Sequence, residues 1–289
     1  MAAEHERPAS RTAWRVALVR ATHQVLDRPV VLDDPIAIPI LGPEISAALA
    51  ADPAAFERGP IDSYLRAFIA ARARFAEDHL DAARSRGVGQ YVILGAGLDT
   101  FAYRQRRAAP PLRIWEVDQP ATQLWKQDRL AAGPIAIPAN VQYVAVDFEH
   151  DSLPDALAAA GFDARAGAVF AWLGVTMYLT RPAIETTLAW IASAAGAHGG
   201  VAFDYAVDRA QLPPPQQAVF DGLAARVAAA GEPWVTTFDP PALAERLRSL
   251  GFGTIEDAGG DELNARYFAG RADGLRVGSL ARMMWAGSW

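Results

Sequence analysis

The segment Gln90–Thr100, QYVILGAGLDT, restricts this chain more than any other stretch. Tyr91 to Leu94 is a short apolar run, partly β-branched, and the Gly95-Ala96-Gly97 turn after it precedes residues that can open a helix. Two glycines at this spacing let the backbone turn sharply and let a ligand approach it without meeting a Cβ. Thr100 stands where the dinucleotide fingerprint G-x-G-x-x-G has its third glycine, the one that gives close helix–strand packing beneath a pyrophosphate. A ligand without a diphosphate suits the turn better; the other reading is a plain glycine turn closing a core strand.

Around that strand the chain alternates. Leu112 to Val117 reads as a strand ending in Asp118, Pro120 to Ala131 as a helix, Val141 to Val146 as a strand ending in Asp147, and Leu153 to Ala160 as a helix. The strand Ala168 to Leu173, a helix from about Pro182 to Ala195 and the strand Val201 to Tyr205 follow. Repeated β-α units of this length predict an α/β, doubly wound, Rossmann-like sheet, mostly parallel, with its ligand at the carboxyl ends of the strands. Beyond Pro213-Pro214-Pro215 come helices from Gln216 to Ala230 and from Pro240 to Leu250, the latter capped by Asp239 and closed by Gly251. Thr254 to Ala258 and Ala281 to Ala286 are expected as an antiparallel pair at the sheet edge. No repeat or linker divides the chain, so a single domain over 1–289 is expected: N-terminal helices and lid at 1–86, then a core at 87–289 with an insertion near 207–240.

The N-terminal part holds an amphipathic helix, Arg11 to Leu26, and a second long one, Asp62 to Arg86, capped by Asp62 or Ser63 and ended by Gly87. Between them Pro35, Pro39 and Pro43 forbid a long regular helix. The many apolar residues of that loop mark it either as a lid or as a cover for the sheet edge. Arg72 and Arg74 lie just upstream of the glycine strand, where a cation can meet a ligand carboxylate or simply be solvated. The run Arg104-Gln105-Arg106-Arg107 is read as a solvated helix end.

Composition removes several chemistries. With 52% hydrophobic and 21% charged residues the 289-residue chain has the make-up of a globular protein with a substantial core. The absence of cysteine rules out disulfides, thiolate metal sites and a cysteine nucleophile, and five scattered histidines give no metal-ligand spacing, so no metal is expected. A net charge of −6 argues against a nucleic-acid partner. No run reaches the roughly 18 apolar residues of a membrane span, and MAAEHERPASR has no signal-peptide core, so no membrane partner and a cytoplasmic location are expected. Neither G-x-S-x-G nor G-K-[ST] occurs.

Three strand ends now form a set. Asp118 lies about 20 residues beyond the glycine turn, placed to accept hydrogen bonds from a ribose diol. Asp147 falls on the adenine side, where its carboxylate can accept from an exocyclic amine while Phe148 offers an apolar face to the ring. An adenosine without phosphate and with an amino-acid tail meets this description, and S-adenosylmethionine is such a molecule. Transfer of its methyl group to a carboxylate needs no general base, whereas a phenol with a pKa near 10 gains from one.

The segments VLDDPIA, RARFAEDHL, QYVILGAGLDTFAYR, EVDQPATQLWK, VDFE and WLGVTMYLT, in that order, resemble the bacterial class I S-adenosylmethionine-dependent methyltransferases related to leucine carboxyl methyltransferase. The resemblance runs from about Thr12 to the C-terminus and implies a seven-stranded sheet with an N-terminal helical lid. It implies a cofactor set of Arg20, Arg72, Gly95, Ala96, Gly97, Asp118, Asp147, Phe148 and Trp172, with Arg72 rather than Arg74 on the cofactor carboxylate. Leu173 stands where protein-phosphatase-modifying relatives have a glutamate, which removes a carboxylate from the methionine side. Tyr178 and Tyr205, at strand ends, are substrate-facing or core residues. The function expected is O-methylation of a small-molecule carboxylate, with a phenolic hydroxyl of a polyketide-like natural product as the alternative acceptor. A NAD-dependent oxidoreductase and a catalytically silent cofactor-binding subunit are the readings from other classes; oligomeric state is left open.

Overall fold

The computed structural model describes residues 10–57, 59–105 and 111–288. Seven strands, β1 (Gln90–Leu94), β2 (Arg113–Asp118), β3 (Val141–Ala145), β4 (Val169–Trp172), β5 (Gly200–Ala206), β6 (Thr254–Ala258) and β7 (Ala281–Gly287), form one sheet in the order β3-β2-β1-β4-β5-β7-β6. The first five run parallel, and β7 lies antiparallel to both of its neighbours. The expected antiparallel pair is therefore present, with the last strand inserted inside the edge instead of added to it. β1, β4 and β5 are buried along their whole length, which is why they read as near-continuous apolar runs, interrupted by Gln90 in β1 and Asp204 in β5. β3 at one edge and β6 at the other are partly exposed.

Helices α1 (Arg11–Leu26), α2 (Pro43–Ala51) and α3 (Pro60–Arg84) precede the sheet. Ser10 starts α1 by accepting a hydrogen bond from the Ala13 amide, a cap worth about 1 kcal/mol. α3 begins two residues before the expected start, with Gly59 as its cap and proline at its first position; Asp62 lies in its first turn and pairs with Arg15 of α1 at 3.4 Å. Then come α4 (Phe101–Arg104), α5 (Pro120–Ala132), α6 (Leu153–Ala159), α7 (Arg181–Ala194), α8 (Pro214–Ala229), α9 (Pro240–Ser249) and α10 (Gly260–Tyr267). Asp239 caps α9 as expected, through the Ala242 amide at 3.0 Å.

The pleat sorts the core onto two faces. Trp115 and Val117 of β2 join one cluster, with Phe170, Trp172, Phe203 and Tyr205; Ile114 joins the other, with the α3 residues Phe68, Phe75 and Leu80. Trp115, Trp172 and Trp285 are at most 1% exposed. A third cluster joins the proline-rich loop to α1 and α5 through Ile40, Leu41, Ala17, Ala21 and Leu130. None of the described helices is long and apolar enough to cross a membrane. The strand order reverses between β1 and β4, and a ligand crevice forms outside the carboxyl ends of strands at such a point.

Candidate functional site

A cleft of about 610 Å³ opens there. The turn after β1 forms its floor: Gly95 and Gly97 both have positive φ, and the Gly95 and Ala96 amides are tied back to the Val117 carbonyl at 2.8 and 3.0 Å. The Gly97 amide donates to one carboxylate oxygen of Asp118 and the Gln119 amide, at 2.7 Å, to the other. Burial pushes the Asp118 carboxyl above its usual range, and those two amides and Lys126 pull against it. A Cβ on Gly97 would meet that of Ala13 at 3.1 Å, so α1 lies directly on the turn.

Arg72 reaches the cleft from α3 while Arg74 does not. The Arg72 guanidinium is buried and donates to Asp204 of β5 at 3.1 Å; Arg74 is half exposed and holds Asp78 at 2.7 Å. Gly174, with φ 74°, sits beneath Arg72, where a Cβ would fall 2.8 Å from Nη1. Asp204 also accepts from the Gly174 amide, so the loop after β4, the arginine and β5 are locked together.

Arg20 comes down from α1 and donates to Thr100 at 3.1 Å, and it faces Asp99 at 3.6 Å and Asp34 at 3.9 Å. Thr100 in turn donates to Asp34 of the proline-rich loop. The threonine that breaks the dinucleotide fingerprint thus ties loop and helix to the glycine turn. Burial alone would raise the Asp99 carboxyl, but Arg20, Lys126 and Arg104 hold it below its ordinary value. Arg104 departs from its expected solvated role: its side chain is 10% exposed and bonded to Glu77 of α3, while Arg106 and Arg107 lie outside the described residues.

The remaining predicted residues divide. Phe148 lines the cleft. Asp147 does not; its carboxylate accepts from the Glu149 amide at 3.0 Å and faces His150 at 3.3 Å. Trp172 is fully buried behind Phe148, with ring centroids 6.0 Å apart. Tyr205 lines neither this cleft nor its neighbour and donates to Asp257 at 2.9 Å. Alternation along β5 explains it: Asp204 takes the cavity face, which turns Tyr205 into the core. None of residues 27–44 lines this cleft or its neighbour; α1 covers the glycine turn and the proline-rich loop packs against α1.

Tyr178 does face the interior, from a 3-10 turn after β4. Burial raises its phenol above the ordinary value, with bonds to Trp234 and Thr12 opposing, so at neutral pH it is a hydrogen-bond donor. Arg72, Gly174 and Tyr178 also line a second cavity of about 920 Å³, enclosed by α1, α3, α8 and the segment before β7. Over the mouth Glu232 accepts from Ser10 Oγ at 2.8 Å and the Thr12 amide at 3.1 Å, clasping the start of α1 to the loop after α8. Asp34, Glu77, Asp99, Asp204 and Glu232 were not singled out in the sequence; Asp34, Glu77 and Asp99 lie inside the family motifs, which was the available signal.

A leucine carboxyl methyltransferase family model matches residues 13–192. YktD of Bacillus subtilis (strain 168), named as an S-adenosyl-L-methionine-dependent methyltransferase, is 30% identical over 286 residues, covering 92% of this chain and 94% of YktD. A protein of the same description from Mycobacterium avium (strain 104) is 36% identical over 175 residues, 58% of this chain and 57% of its own length. Among solved structures, a Thermobifida fusca protein described as a methyltransferase superposes with a TM-score of 0.51 at 20% identity, over 91% of this chain and 98% of that one, a likeness of fold. With a family model covering well over half of its length and a relative aligned nearly end to end, this chain belongs to the leucine carboxyl methyltransferase family.

Proposed function

We propose that this protein is an S-adenosylmethionine-dependent O-methyltransferase whose acceptor is a small-molecule carboxylate. The cleft residues fit the cofactor. Their charges are mixed, Arg11, Arg20 and Arg72 against Glu77, Asp99, Asp118 and Glu232, which suits a zwitterion with a cationic centre and opposes a diphosphate. Arg20 keeps a buried Nε without a hydrogen-bond partner. Arg72 and Arg20 would hold the carboxylate, Asp118 the ribose, and Phe148 the adenine face. When bound, the cofactor supplies an electrophilic methyl group on a sulfonium.

The observation that carries the carboxylate reading is the junction of the two cavities. The described residues lining both are Ser10, Arg11, Thr12, Val16, Arg72, Gly174, Tyr178 and Ala230, none of them a base at neutral pH. With no base among the shared residues, and with Glu232 and Asp204 already engaged by Ser10, Thr12, Arg72 and Gly174, the junction favours an acceptor that arrives ionised, as a carboxylate does and a phenol does not. The chain's own work is to orient and to exclude water: Tyr178 donates to the acceptor, Arg72 is fixed by Asp204, and α1 covers the site.

The test is calorimetric titration with S-adenosylmethionine, S-adenosylhomocysteine and NADH, then a methyl-transfer screen pairing aryl carboxylic acids with the corresponding phenols. Saturable binding of the two adenosyl ligands without NADH, and turnover of acids alone, supports the reading. Turnover of phenols alone overturns the choice of acceptor, and binding of NADH alone overturns the class.

A further inference from the structure

We infer that the acceptor is a large, apolar-bodied organic anion, recognised in the second cavity by its size and by its charge; this rests on the methyltransferase reading above. At about 920 Å³ the cavity lies at the upper end of pockets that enclose a drug-sized ligand. A single amino acid would leave most of it unfilled. Its walls include Trp14, Tyr64, Phe68, Met177, Trp234 and Leu280, so what fills it meets aromatic and aliphatic surface. Ile61 and Tyr64 remain 38% and 39% exposed at this wall, apolar surface that an apolar ligand would cover.

The charge of the lining runs against that of the whole chain. The protein has a net charge of −6, yet five arginines line this cavity and Asp204 is the only acid among its described lining residues. Asp204 is spent on Arg72. Arg15 is held by Asp62. Arg11, Arg226 and Arg276 have no carboxylate within ion-pair distance among the described residues, and Arg276 rests on the Tyr64 ring at 6.0 Å. Unpaired guanidinium groups around an apolar chamber attract anions and gain most from an acceptor whose charge they can neutralise. The pattern selects a carboxylate on a broad apolar body over an amine, a neutral ester or a free amino acid.

The test uses three probes on the intact protein saturated with S-adenosylhomocysteine: anthraquinone-2-carboxylate, its neutral carboxamide, and leucine. Binding is followed by calorimetry and by tryptophan quenching, in the native protein and in the Arg226→Gln/Arg276→Gln double variant, whose substitutions are at exposed positions. The expected result is that the carboxylate binds about tenfold or more tightly than the carboxamide, with leucine weakest, and that the double variant loses most of that preference. The preference should also shrink as salt is raised. Equal binding of carboxylate and carboxamide, tighter binding of leucine, failure of all three probes to bind, or an unchanged preference in the double variant overturns the inference. Failure of S-adenosylhomocysteine itself to bind overturns the methyltransferase reading instead, so the two failures are distinguishable.

Discussion

Arg72 and Arg74 are two residues apart in one helix and have different fates, because helical geometry separates them by about 200° around the axis. Arg72→Gln should weaken S-adenosylhomocysteine binding by about 1–3 kcal/mol, the scale of a charged hydrogen bond, while Arg74→Gln leaves it unchanged within calorimetric error. Asp118→Ala should cost a similar amount, since its carboxylate is already oriented by the Gly97 and Gln119 amides. Unaltered affinity in a folded Asp118 variant would remove it from the ribose. Tyr178→Phe tests the missing base differently. Its phenol, raised by burial, is a donor at neutral pH, so the variant should lower kcat/KM without moving the pH profile. Loss in the variant of a limb on which the rate rises with pH would mean that Tyr178 acts as the base.

At the scale of elements, α1 is held at both ends. Glu232 clasps its start, and at its end Asp27 accepts from His23 at 2.7 Å and from Arg66 of α3 at 2.8 Å. Burial pushes the Asp27 carboxyl up, but the bonds from His23 and Arg66 win and hold it below the ordinary 3.8. A depressed carboxyl stabilises the folded form above the unfolded pKa and loses that contribution as pH falls through the folded one. Amide exchange in α1 should therefore accelerate below about pH 4, ahead of exchange in β1 and β4, and uniform acceleration would deny α1 its separate anchorage. The sequence made α1, the parallel strands and the glycine turn legible because each carries a strong local pattern. It left α10 unread, since Gly259-Gly260 at its start looks like a turn and the helix spans only eight residues. Tyr205 stays open between substrate and core in the sequence because a strand end names two adjacent side chains and only the pleat decides which of them faces the ligand, while Asp147 lies two residues beyond β3 in a turn whose course no periodic pattern gives. The ties from Asp34 to Thr100 and from Glu232 to Ser10 join residues 66 and 222 positions apart, beyond any local pattern.

For the whole molecule, a ligand that binds only the folded state stabilises it by mass action. S-adenosylhomocysteine at a hundred times its dissociation constant should add about 2.7 kcal/mol, or roughly 5 °C in Tm for a chain of this size, and NADH should add nothing. An NADH-induced shift without one from S-adenosylhomocysteine would reverse the assignment of the cleft. The wall that Ser10, Arg11, Thr12 and Val16 contribute is common to both cavities. Whatever settles that stretch for one occupant prepares it for the other, and thermodynamic linkage makes the gain reciprocal: the factor by which the cofactor tightens the acceptor is the factor by which the acceptor tightens the cofactor. Cofactor and acceptor are therefore expected to bind as a coupled pair, and calorimetry of either in the presence of the other should read a tighter affinity than for either alone.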